Sequence, residues 1–95
     1  MAFVYLLRCA DGSLYCGWTV DVAKRVTAHG TGRASRYTAS RRPVRLAAAW
    51  EVETPTHARR LEARIKRLTR AEKLALAAGA PLDAATPVRF SPPAA

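Results

Sequence analysis

The sequence predicts an α+β fold of three strands and about three helices. Three observations support this: a strand-turn-strand pattern over residues 3–19, a block of apolar alternation over residues 44–52, and helical spacing of apolar residues after each of these regions. The 95 residues suffice for one small domain with a modest core. A hydrophobic fraction of 49% beside 24% charged residues belongs to a folded chain, although alanine, which buries little, supplies much of the first figure.

Phe3-Val4-Tyr5-Leu6-Leu7-Arg8 reads as the first strand and Ser13-Leu14-Tyr15-Cys16-Gly17-Trp18-Thr19 as the second. The turn between them decides which side chains share a face. A two-residue type I′ turn at Asp11-Gly12 would pair Cys9 with Leu14 and send Tyr5 and Tyr15 to opposite faces. A three-residue loop, Ala10-Asp11-Gly12, closed by a left-handed glycine, pairs Cys9 with Ser13, Leu7 with Tyr15 and Tyr5 with Gly17. Both tyrosines then share one face, and Gly17 leaves open space beside the Tyr5 ring. This is the preferred register. It leaves Val4, Leu6, Leu14, Cys16 and Trp18 as a core face.

Asp21 (or Thr19) caps the next helix and Gly30 ends it. Val22, Arg25, Val26 and His29 recur at i, i+3, i+4 and i+7, so an arginine and a histidine share the apolar face. Two readings fit. Arg25 snorkels while His29 packs near a helix end that favours cations, or both serve a site. Residues 30–43 read as a loop in which Arg33, Arg36, Arg41 and Arg42 surround Tyr37, a pattern suited to tracking a phosphate backbone or to an ordinary solvated loop. Val44, Leu46, Ala48, Trp50 and Val52 then alternate along a third strand and are expected on one face.

Thr54-Pro55 opens a second helix with the apolar stripe Ala58, Leu61, Ile65 and Leu68. Arg59, Arg60, Arg64, Lys66 and Arg67 cover its other sides. Glu62 lies about 65° from the centre of the stripe, at the edge of the inward face. A lone carboxylate there is an arginine partner or a metal ligand. Thr69-Arg70-Ala71-Glu72 is a capping box that starts a third helix ending at Gly79. Residues 1–79 are therefore expected to form the domain. Residues 80–95, with Pro81, Pro87, Pro92 and Pro93, form an Ala- and Pro-rich tail that covers it loosely or frays.

Sixteen Lys and Arg against seven Asp and Glu give a net charge of +9, which favours a polyanionic partner, nucleic acid first. Arginine dominates, and its planar fork suits phosphate. No apolar run approaches the roughly 20 residues of a membrane span, and no leader pattern opens the chain. A cytoplasmic protein is expected, with Cys9 and Cys16 as reduced packing residues. Zinc spacing, a Gly-rich phosphate loop and a nucleophile elbow are all lacking.

The ordered set Val4-Tyr5-Leu6-Leu7, Tyr15-Cys16-Gly17, Arg25, His29, Tyr37 and Glu62 resembles the GIY-YIG nuclease domain. It is most similar to the small stand-alone, single-domain bacterial branch, over roughly residues 2 to 77. The two name-giving motifs are imperfect: the first reads Phe3-Val4-Tyr5, and Cys16 stands between Tyr15 and Gly17 in the second. The resemblance implies a three-stranded antiparallel sheet flanked by helices. It places Tyr5, Tyr15, Arg25, His29, Tyr37 and Glu62 around one groove. It further implies phosphodiester hydrolysis in nucleic acid, DNA before RNA, with one Mg²⁺ or Mn²⁺ on Glu62. In this scheme Arg25 grips the scissile phosphate, Tyr5 is the general base once the metal and Arg25 make its phenolate accessible, and Tyr15 orients water or phosphate. His29 relays a proton or hydrogen-bonds a tyrosine. Arg33, Arg36, Arg41, Arg42 and Lys66 contact nucleic acid, and Gly17 is a structural position. With no appended DNA-binding domain, structure-selective or weakly sequence-selective cleavage is expected, with a protein partner for targeting as one route to the substrate. A non-catalytic nucleic-acid-binding module on the same fold is the main rival, and a protein-interaction adaptor the third reading.

Overall fold

The Ala10-Asp11-Gly12 turn holds three residues, and that count sets the register around everything described below. In this computed structural model, which describes residues 1–82 and 85–88, the Cys9 amide donates to the Ser13 carbonyl at 2.9 Å and Gly12 closes the turn with φ +83°. Asp11 accepts from the Ser13 amide and hydroxyl, which stiffens the corner. Strand β1 (Ala2–Arg8) therefore pairs antiparallel with β2 (Leu14–Thr19), with Tyr5 opposite Gly17 and Leu7 opposite Tyr15, in the preferred register.

Helix α1 (Val22–Gly30) is capped by Asp21, whose carboxylate accepts from the Lys24 amide. Its end differs from expectation. Gly30 is the last helical residue, and the left-handed glycine is Gly32 at φ +79°. The stretch read as loop contains a four-residue helix, α2 (Arg36–Ala39), capped by Ser35 through the Thr38 amide. Strand β3 (Arg45–Val52) runs antiparallel to β1 on the side away from β2. Helix α3 (Pro55–Lys66) starts from the Thr54 cap, and α4 (Arg70–Ala77) starts from the Thr69/Glu72 capping box. A two-residue strand, β4 (Thr86–Pro87), pairs with β3, giving the sheet order β2-β1-β3-β4.

The fold class is α+β as expected, but the described residues hold four strands and four helices. The expected tail is in part built onto the sheet: besides β4, Ala80, Leu82 and Ala85 pack against the core. Pro92 and Pro93 lie outside the described residues.

The sheet is apolar on both faces. On one, Val4, Leu6, Cys16, Trp50 and Val52 pack with Ala58, Leu61 and Ile65 of α3 and Leu76 of α4. On the other, Tyr5, Leu7 and Ala49 pack with Tyr15, Val26 of α1, Val44 and Leu46. The placement of Val44 and Leu46 corrects the expected single face for β3. The register shifts between Leu6, which faces Ala48, and Leu7, which faces Leu46, so Ala47 is an extra residue. A one-residue bulge reverses the parity of everything beyond it. Cys9 and Cys16 are buried free thiols. No helix among the described residues is long and apolar enough to cross a membrane.

Candidate active site

Tyr5 projects from the central strand β1 onto the face that α1 covers, and it is 1% exposed. Its ring lies directly over Gly17. A Cβ built at Gly17 would stand 2.6 Å from Tyr5 Cζ, with the hydroxyl oxygen closer still. The space expected beside the ring is thus filled by the ring itself, which explains why a glycine stands opposite.

The Tyr5 hydroxyl is 2.7 Å from Nε2 of His29, which is fully buried at the end of α1. On the far side of the imidazole, Nδ1 is 2.8 Å from Oγ1 of Thr38, also fully buried. Thr38 Oγ1 lies 3.4 Å from both the carbonyl and the hydroxyl of Ser35, the cap of α2. A continuous buried polar chain therefore runs Tyr5–His29–Thr38–Ser35. Burial, assisted by the charge of Arg25, lowers the pKa of His29 to about 4, so the imidazole is neutral at pH 7. Burial also raises the Tyr5 phenol to about 12, although hydrogen bonding and charge from Arg25 pull it the other way. At rest Tyr5 is protonated. Arg25 alone does not offset the burial, and the expectation gave that task to the metal and Arg25 together.

Arg25 sits one turn before His29, and its Nε is buried with no hydrogen-bond partner. Among the described residues the ion pairs are Arg41–Asp11 and Lys66–Glu62, so no carboxylate neutralises Arg25. A guanidinium held in this way presents an unmatched charge and an unmatched donor.

The aromatic series continues outward. Tyr15 lies edge-on to His29 with ring centroids 5.1 Å apart, and Tyr37 is 5.7 Å from Tyr15. Tyr37 is 38% exposed and so forms the solvent end of the series. Arg41 covers its ring, with Cζ 3.8 Å from the centroid, while its Nε donates to Asp11 at 3.0 Å and its Nη1 to the Tyr37 carbonyl. Arg41 thus ties Tyr37 to the hairpin turn. Arg42 donates to the Ala39 carbonyl and folds against Gly32, and Arg33 and Arg36 are exposed.

Glu62 and Lys66 come from α3, one turn apart, on the helix that covers the other face. Lys66 Nζ is 3.7 Å from Glu62 Oε1 and 5.9 Å from the Tyr15 ring centroid. The Glu62 charge also contributes to the raised pKa of Cys16, after burial, the larger cause. Glu62 is therefore a neighbour of the Tyr15-Cys16 segment, and Lys66, its partner, lies towards the Tyr15 ring at the edge strand β2. Among the described residues no three His, Cys, Asp or Glu side chains form a metal-holding group. Glu62 offers a single carboxylate, half-buried, and an ion held there would take its other ligands from water and phosphate. That donor set suits Mg²⁺ or Mn²⁺ and is unsuited to zinc.

The structure thus joins Tyr5, Arg25, His29, Tyr15 and Tyr37 in one cluster and links Glu62 to it through Lys66. Thr38 and Ser35 were not singled out from sequence. The available signal was a capping serine three residues ahead of a threonine, in a segment too short to show periodicity.

Residues 1–75 match the family described as GIY-YIG catalytic domain. The UPF0213 protein of Syntrophus aciditrophicus is 45% identical over 75 residues, covering 78% of this chain and 86% of that protein. The UPF0213 protein of Halobacterium salinarum is 43% identical over 76 residues, covering 80% and 99%. A solution NMR structure of the UPF0213 protein BH0048 from Bacillus halodurans superposes with a TM-score of 0.53 at 40% identity, covering 82% of this chain and 84% of that one.

Proposed function

Because the chain belongs to the GIY-YIG catalytic-domain family, that of endonucleases, we propose that it is a metal-dependent endonuclease that hydrolyses phosphodiester bonds of nucleic acid, DNA before RNA. The observation that carries this reading is Arg25. Its buried Nε lacks a partner and no carboxylate among the described residues neutralises it, yet it stands beside the Tyr5 hydroxyl. A phosphate placed there supplies both the missing acceptor and the missing negative charge.

The roles follow from the chain's own groups. Arg25 binds the scissile phosphate and stabilises charge as it builds on the non-bridging oxygens. Tyr5 takes a proton from the attacking water while its own hydroxyl proton passes to Nε2 of His29, so neither group bears the full cost of ionising alone. Tyr15, half-buried and edge-on to His29, orients the water or the phosphate. Glu62 would hold one Mg²⁺ or Mn²⁺, which supplies charge stabilisation at the leaving oxygen when bound. Arg33, Arg36 and Arg42 are exposed, and with Arg41 they follow the nucleic-acid backbone. Lys66 is half-exposed and contacts the same strand. Contacts of this kind go to the phosphate backbone and carry no sequence information, which favours structure-selective or weakly sequence-selective cleavage.

The test is incubation with single-stranded, duplex and branched DNA, and with RNA, in the presence of Mg²⁺ or Mn²⁺. Nicking that requires the metal and disappears in Glu62→Ala and Arg25→Ala supports the enzyme. Salt-sensitive binding without cleavage of any substrate, unaltered by Glu62→Ala, leaves the non-catalytic binding module as the function.

A further inference from the structure

The chain Tyr5–His29–Thr38–Ser35 admits two arrangements of its protons, which differ in the imidazole nitrogen that carries one. Tyr5 and His29 are both neutral at pH 7, so the imidazole carries one proton, on Nδ1 or on Nε2. Suppose it is on Nε2. That N–H then points at the Tyr5 oxygen 2.7 Å away, and the Thr38 hydroxyl donates to Nδ1. The Tyr5 hydroxyl proton is left without an acceptor, because its other neighbour, the Arg25 guanidinium, can only donate. A buried hydroxyl with no acceptor is costly.

Suppose instead that the proton is on Nδ1. It donates to Thr38 Oγ1 at 2.8 Å, and the Thr38 hydroxyl donates onward to the Ser35 carbonyl or hydroxyl, each 3.4 Å away. Nε2 then accepts from the Tyr5 hydroxyl, whose oxygen keeps its lone pairs for Arg25. Every proton in the chain has an acceptor. Arg25 decides the direction at the Tyr5 end, and Thr38 completes it at the other by accepting from Nδ1–H while its own proton goes to Ser35. Thr38 is held in place because it is fully buried and its amide donates to Ser35, the cap of α2.

We infer that Thr38 is a positioning residue that holds His29 in the Nδ1–H tautomer, leaving the Nε2 lone pair aimed at the Tyr5 hydroxyl. The catalytic consequence rests on the endonuclease reading above. As water attacks phosphorus its proton goes to the Tyr5 oxygen, the Tyr5 proton goes to Nε2, and the resulting imidazolium keeps its Nδ1–H bond to Thr38. The opposite tautomer would present Nε2–H to Tyr5, and the relay could accept nothing.

The experiment reads the tautomer and the rate separately. In a His57→Gln background, which leaves His29 as the single histidine, the ring ¹⁵N shifts of the otherwise intact protein identify the protonated nitrogen. The expected result is Nδ1–H in the parent and a shift towards Nε2–H in Thr38→Val. Cleavage by Thr38→Val should fall on the order of 10²- to 10⁴-fold in kcat with KM little changed, as when a catalytic histidine is held in the wrong tautomer. Thr38→Ser, which keeps the hydroxyl, should restore both the tautomer and most of the rate. An Nε2–H tautomer in the His57→Gln parent overturns the inference, and this readout requires no Thr38 variant to fold. So does a Thr38→Val protein that keeps Nδ1–H, whatever its rate. If no substrate is cleaved but Thr38→Val still reverses the tautomer, the positioning role stands and the endonuclease reading fails.

Discussion

Replacing Gly17 with alanine adds one methyl group at the point where the Tyr5 ring crosses the second strand. The new Cβ would lie 2.6 Å from Tyr5 Cζ, which is 0.8 Å inside the 3.4 Å limit of ordinary contact. The ring has little room to yield. Tyr5 is 1% exposed, its ring packs edge-on to His29, and its hydroxyl is hydrogen-bonded to Nε2. Relief therefore requires moving the ring or spreading β1 from β2, and overpacking of this kind costs about 1–3 kcal/mol. For a domain of this size that lowers Tm by roughly 5–20 °C, measured by thermal unfolding followed by far-UV circular dichroism. The displaced hydroxyl also loses its bond to His29, so cleavage should fall more than stability alone explains. Gly30→Ala is the matched control. It makes the same chemical change at the exposed last residue of α1, where nothing lies within 4 Å of the added Cβ, and the φ is not left-handed. That substitution should stabilise by about 0.4–1 kcal/mol. The reasoning fails if Gly17→Ala melts within about 0.5 kcal/mol of the parent and keeps the Tyr5–His29 bond.

Three further outcomes follow from the same geometry. Glu62→Gln should abolish metal-dependent cleavage while changing stability by no more than about 0.5 kcal/mol, because its ion-pair partner is Lys66 at i+4 on an accessible helix face; a paired activity and melting measurement checks this. Arg25→Met should abolish cleavage yet leave Tm equal or higher, since it removes a buried donor that has no partner, and unmatched groups cost about 1–3 kcal/mol; a Tm well below the parent's would show that Arg25 is structural. For pH, His29 is held near 4 in the fold against 6.5 for the free side chain, so the unfolded chain binds the extra proton first. Stability from this group is complete above about pH 6.5 and is lost as pH falls towards 4, by up to about 3 kcal/mol. Chemical denaturation at a series of pH values should show that slope in the parent and lose it in His29→Gln.

The parts of the molecule that could be read from sequence are those specified by local chemistry. Asp11-Gly12 with the parity of two tyrosines was enough to choose a three-residue turn, and Thr54-Pro55 and Thr69/Glu72 announced their helices through caps. The inward position of Arg25 and His29 followed from helical period. What was not legible depends on distant partners or on residues without a facial preference. The bulge at Ala47 falls in a run of three alanines, which fit either side of a sheet, so the reversal that sends Val44 and Leu46 to the Tyr5 face left no mark in the alternation. Helix α2 is one turn long and β4 is two residues, one of them proline, both below the length at which periodicity exists. Thr38 matters because His29 lies beside it in space, nine positions away in the chain.

In the proposed mechanism, the position of β2 at the sheet edge is what would let a base and a metal ligand from opposite layers serve one phosphate. Tyr5 and Tyr15 stand on the face covered by α1, whereas α3, which carries Glu62, packs on the other. Two sheet faces are separated by the sheet itself, and each neighbouring layer packs on the order of 10 Å from it. Had Tyr15 been on a central strand, no side chain of α3 could pass to its ring. Because β2 has no strand beyond it among the described residues, Lys66 reaches around the edge to the Tyr15 ring while pairing with Glu62 one turn earlier. The three-residue turn is what makes this useful, since a one-residue change in register would turn Tyr15 to the α3 side and leave Tyr5 without it. Edge placement exposes unpaired strand groups and is ordinarily a liability. Under the proposed function it would be the opening through which the helix-borne carboxylate and the strand-borne phenols meet a substrate backbone. A variant that lengthens the sheet beyond β2, for example by fusing an extra pairing strand, should therefore keep the fold and the Tyr5–His29 bond but lose metal-dependent cleavage. If such a variant still cleaved at the parental rate, Glu62 would have to act by another route.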